Sequence, residues 1–137
     1  MSIKYLQKKC RKWLVNKVVK LMRSTRFGDK LSGFILKMIH FNAPWNMISH
    51  IAILDKKGSY MTLYSLIIAL SLYILLDGCF LSEAEYVLGA GDMNVVDPYI
   101  KLFNQEINKQ TRFDFTIFGA FFAFAVSISI MHLRGFM

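Results

Sequence analysis

The 137 residues carry 17 Lys or Arg against nine Asp or Glu, a net charge of +8, yet 55% of them are hydrophobic. That length has room for one domain, and so high an apolar content is unusual for a soluble one. Two cysteines, Cys10 and Cys79, with no CxxC pair and no His/Cys cluster, exclude a disulfide framework and the usual zinc and redox sites.

Residues 1 to 58 hold thirteen Lys or Arg and two acids, Asp29 and Asp55, and the first 28 residues hold nine of those bases and no acid. On a helical wheel Ile3, Leu6, Cys10, Trp13, Leu14 and Leu21 share one side, and Lys4, Lys8, Lys9, Arg11, Lys12 and Arg23 fall mostly on the other. Lys17 interrupts the apolar side, and Val15 and Val19 sit among the charges. A helix of this kind lies in the membrane interface or docks on a partner. Its bases face anionic headgroups, each contributing on the order of 1 kcal/mol. Lys4, Lys8, Lys9, Arg11, Lys12 and Trp13, with Trp45 as a second interfacial anchor, are therefore the expected lipid-binding residues, and cardiolipin is the expected lipid. No nucleic-acid motif accompanies the charge, so no nucleic-acid partner is expected. The acid-free, amphipathic start also resembles a mitochondrial presequence, here expected to be retained.

After a polar break ending at Gly28, Leu31 to Phe41 predicts a short helix, stopped by Pro44, and MISHIAIL a third, capped by Gly58 with Lys56 and Lys57 at its carbonyl end. The basic foot is thus three short helices, too small to stand alone. His40 and His50, separated by the Pro-Trp step, make no ligand pair.

Ser59 to Leu76 and Phe115 to Leu133 contain no Lys, Arg, Asp or Glu. As helix each spans roughly 27 Å, close to a hydrocarbon core of about 30 Å. The first begins too far from the N-terminus for a secretory signal. A first transmembrane helix is expected over residues 59–81, an acidic loop with a short helix over 82–112, and a second transmembrane helix with a short tail over 113–137. In the loop LGAGDMN reads as a flexible turn and Asp97-Pro98 as a helix start, with Ile100, Phe103 and Ile107 on one face. Gly119, Ala123 and Ser127 recur every four residues, a small-residue ridge suited to close helix packing, and Ser65 and Ala69 offer a similar surface on the first span. Phe118, Phe121, Phe122 and Phe124 suit lipid tails or a hydrophobic partner. Asp77, Asp114 and His132 read as boundary residues at the ends of the spans.

Residues 77 to 114 carry seven acids and three bases, against thirteen bases and two acids before the first span. This asymmetry places both termini on the cytoplasmic or matrix side. The expected fold is an all-α membrane protein, two transmembrane helices in an N-in/C-in hairpin with a basic amphipathic foot. With no Gly-rich phosphate loop, GxSxG or intramembrane carboxylate pair, neither enzyme activity nor a cofactor or metal is expected. Phe, Tyr, Met, Ile, Asn and Lys number 58 against 23 for Gly, Ala, Arg and Pro, which points to an AT-rich genome. The expected role is a non-catalytic accessory subunit of a mitochondrial inner-membrane complex, a respiratory-chain complex or ATP synthase, with other membrane subunits and cardiolipin as partners. The alternatives are a bacterial inner-membrane component of a secretion or envelope machine, or a membrane-shaping or assembly factor.

Overall fold

A computed structural model describes residues 3–137; the first two residues of the expected foot lie outside the described residues. Six helices follow one another: α1 Ile3–Ser24, α2 Asp29–Ile53, α3 Lys56–Leu75, α4 Phe80–Val87, α5 Asp97–Leu102 and α6 Lys109–Leu133. No strand occurs among the described residues. Two of these helices, α3 and α6, are long and apolar enough to cross a membrane.

The expected stop at Pro44 does not occur, because α2 runs unbroken through it for 25 residues. A proline inside a helix removes one backbone donor and crowds the preceding turn, which bends a helix more readily than it ends one when both flanks are helix-forming. Nor does Gly58 cap the helix before it. Asp55 accepts the Gly58 N–H at 2.9 Å, so residues 56 to 58 are the first turn of α3. The second apolar helix starts on a reciprocal cap, with Asn108 accepting the Thr111 N–H at 2.9 Å and Thr111 accepting the Asn108 N–H at 3.0 Å.

The chain divides into two compact units, one comprising residues up to Phe41 together with Leu72–Asn94, the other Asn42–Ser71 with Val95–Met137. In the first, α1 packs on α4, the most extensive contact between any two helices among the described residues. Its core is Val15, Val19, Leu36, Ala84 and Leu88, edged by Val18, Met22, Phe80 and Leu81. Gly33 lets α2 approach this core, since a Cβ there would lie 2.9 Å from Leu88 Cβ. The turn from α1 to α2 is held by Arg23, whose Nη2 donates to Asp29 Oδ2 at 2.7 Å.

The inward face of α1 is the one through Val15 and Val19, while Ile3, Leu6, Trp13 and Leu21 are exposed. Val15, Val19 and Met22 recur at helical spacing, and the Arg11 charge beside them is matched by Glu83 of α4, an acid the wheel of α1 alone does not show. On the other side of this contact is α4, from the stretch between the two long apolar helices.

In the second unit the core is Ile51, Leu63 and Met131, with Tyr60, Phe124, Ile130 and Phe136 packed around it. The buried Ser59 hydroxyl donates to Ile51 O at 3.2 Å. Tyr60 donates from its hydroxyl to Phe136 O at 3.1 Å, tying the C-terminal tail to α3. Asp97, which opens α5, is buried and accepts from Arg112 of α6 through both oxygens, at 2.8 and 2.7 Å. The loop helix therefore ends before α6 and is tied to it by a bidentate ion pair.

Candidate functional site

Three side chains from two segments meet in the first unit. His40 comes from α2 and Glu85 from α4, while Cys79 is the N-cap residue of α4, with extended backbone at φ −84° and ψ 113°. The turn that delivers Cys79 is tight. Asp77 and Gly78 both have positive φ, 53° and 135°, and a Cβ on Gly78 would lie 3.2 Å from Arg11 Nη1. Glycine therefore suits that position on two counts. The same Arg11 Nη1 donates to Asp77 O at 3.1 Å, and Arg11 Nε pairs with Glu83 at 2.6 Å, so α1 clamps the turn from outside.

The His40 ring bridges the other two groups. Its Nδ1 is 2.7 Å from Glu85 Oε1 and its Nε2 is 3.4 Å from Cys79 Sγ. Glu85 is 1% exposed, and a carboxylate that deep requires a hydrogen-bonded cation. Burial alone would lower the affinity of His40 for its second proton, but the hydrogen bonds and charges of Cys79 and Glu85 outweigh it and raise the imidazolium to about 10. Burial likewise pushes the Cys79 thiol up, and the hydrogen bond and charge of His40, with Ser82 adding to them, bring it below its ordinary value. The two groups share one proton, and both directions favour it on the ring. The site is a cysteine–histidine pair with a buried carboxyl group behind it.

Sulfur and carboxylate occupy opposite nitrogens of one ring, which is the order of a nucleophile, its base and the group that orients the base. Metal ligands would instead converge on a point, and no group of three His, Cys, Asp or Glu among the described residues does so.

The residues singled out in the sequence are distributed elsewhere. Lys4, Lys8, Lys9 and Lys12 are exposed on α1, as are Trp13 and, on α2, Trp45. Arg11 differs from them, being engaged with Glu83 and the Asp77 carbonyl. Along α6, Ala123, Ser127 and Met131 form a buried line, whereas Gly119 is exposed, with nothing within 4 Å of the place a methyl group would take there. Ser65 and Ala69 on α3 are exposed as well.

Compared with protein-family models, curated proteins and solved structures, the chain matches none. Geometry alone therefore carries the functional reading. None of His40, Cys79 and Glu85 stands out as a site in the sequence, where 39 residues separate the ring from the sulfur. The available signal is local: a cysteine that opens a helix directly after an Asp-Gly turn.

Proposed function

We propose that the chain is a non-catalytic accessory subunit of a multi-protein assembly in an energy-transducing membrane, the mitochondrial inner membrane, where it supports structure, assembly and lipid contact. The observation that carries this reading is the apolar surface that α3 and α6 leave uncovered. Phe118, Phe121 and Phe122 of α6 are 73%, 63% and 60% exposed, and Tyr64 and Ile68 of α3 are 61% and 60% exposed. Exposed apolar side chains of that size on two such helices call for lipid or a protein partner. On the same helices Gly119, Ser65 and Ala69 remain open, and side chains so small are useful where another helix comes close. The exposed lysines of α1 supply the contact with anionic headgroups such as those of cardiolipin.

Native electrophoresis of mildly solubilised membranes, followed by mass spectrometry of the band, tests the proposal. Co-migration with a respiratory-chain complex or ATP synthase is the expected result. Recovery only as a small free oligomer overturns it.

A further inference from the structure

The thiol site follows closely on an apolar helix. Cys79 follows Leu75, the last residue of α3, by four positions, and α3 is one of the two helices apolar enough to cross a membrane. Cysteines beside membrane spans are the ones that carry reversible acyl chains. Unlike an ordinary boundary cysteine, this one has a histidine on its sulfur and a buried carboxylate behind the histidine.

We infer that Cys79 is a self-acylating residue: its sulfur takes a long-chain acyl group from an acyl thioester, with His40 as proton donor and Glu85 as the group that orients His40. The sulfur attacks the carbonyl carbon of the donor, a carbon–Sγ bond forms, and the donor's own carbon–sulfur bond breaks. The departing thiolate takes the proton from His40 Nε2. The products are S-acyl Cys79, a neutral imidazole still hydrogen-bonded through Nδ1 to Glu85, and a free thiol; nothing is oxidised or reduced.

The electrostatics agree with this chemistry. The hydrogen bond between His40 Nε2 and the sulfur, at 3.4 Å, favours the thiolate, which is the nucleophilic form. The neighbouring charges, Arg11 and Glu83, are engaged with each other at 2.6 Å and leave the Cys79–His40 pair undisturbed. Lys37, on the same helix as His40, is taken up by the Ala90 carbonyl at 2.7 Å. The destination of the acyl chain, against the end of α3, rests on the membrane reading above. The reactivity of the sulfur does not.

The test uses the full chain in detergent micelles with palmitoyl-coenzyme A as donor, followed by intact mass. One palmitoyl group is expected, removable by neutral hydroxylamine, retained in Cys10→Ser and lost in Cys79→Ser. His40→Gln is expected to slow the reaction at least about tenfold, since positioned acid–base groups contribute that much or more. Alkylation of Cys79 by iodoacetamide across pH supplies an independent readout. The native chain should react fast well below the ordinary thiol range, and His40→Gln should slow with falling pH as a free thiol does. Acylation of Cys10 as fast as Cys79, no acylation at either, or superimposable alkylation profiles for native and His40→Gln chains overturns the inference. Acylation at Cys79 in a chain that alkaline carbonate strips from membranes supports the thiol site and removes the membrane reading instead.

Discussion

Arg134 donates from one nitrogen to two carbonyls, Ile51 O at 2.7 Å and Leu54 O at 2.6 Å, so the last turn of α2 is capped by a side chain from the tail. The guanidinium also lies 4.4 Å from the centroid of Phe136. A cation on these terminal carbonyls, which it shares with the Ser59 hydroxyl, gains both hydrogen bonds and the favourable end of the helix dipole. Arg134→Met should therefore destabilise the chain by about 2–3 kcal/mol, the range for hydrogen bonds to a charged group. Arg134→Lys should recover part of that. Urea unfolding followed by circular dichroism measures both, and an unchanged midpoint in the Met variant refutes the cap.

The His40 pair gives the stability an alkaline limit. A histidine raised to about 10 from an ordinary 6.5 contributes stability that is fully present below 6.5 and lost as pH rises through 10. Cys79, lowered from 9.0, works in the opposite sense: it contributes above 9.0 and loses that contribution as pH falls through its folded value. Between 9.0 and 10 the unfolded chain has lost the thiol proton while the folded chain still holds the imidazolium proton, so stability must fall with rising pH there. The difference in melting temperature between the native chain and His40→Gln should shrink across that window. A difference that stays constant to pH 11 would show that the proton is not on the ring.

Arg11 and its lysine neighbours should separate in their effects. Lys8→Glu with Lys12→Glu removes exposed charge, so binding to cardiolipin-containing vesicles at low salt should weaken with the melting temperature nearly unchanged. Arg11→Glu sets a carboxylate against Glu83 and frees the turn at Asp77, so it should lower the melting temperature. Equal loss of thermal stability in the two variants refutes the distinction.

Gly119 tests the assembly. In the chain by itself nothing lies within 4 Å of its Cβ position, so Gly119→Leu should fold normally. If the chain is the accessory subunit proposed above, incorporation of this variant into the complex should fall, because a leucine holds a partner helix away. Full incorporation of a well-folded Gly119→Leu chain shows that this stretch of α6 faces lipid.

How far the sequence foretells this structure differs from segment to segment. The cores of α3 and α6 are plain in it, since a run of 18 or 19 residues without a charge has few alternatives to helix. The Asn108 and Thr111 cap that starts α6 is also a local pattern, although Asp97-Pro98 stands out more. Pro44 misleads because its effect depends on whether the flanks have reason to stay aligned, which is a tertiary matter. The same holds for Val15 and Val19, which look stranded among charges until Glu83 is placed beside Arg11. The thiol site is not legible, since His40 lies 39 residues from Cys79 on another helix and each of His40, Cys79 and Glu85 has an ordinary explanation when taken singly.

The packing of α1 on α4 joins two oppositely charged stretches into one surface. Along the sequence the first 28 residues hold nine bases and no acid, but the ion pair of Arg11 with Glu83 draws one of those bases into a neutral couple. Charge counted along the chain therefore overstates what α1 presents to its surroundings.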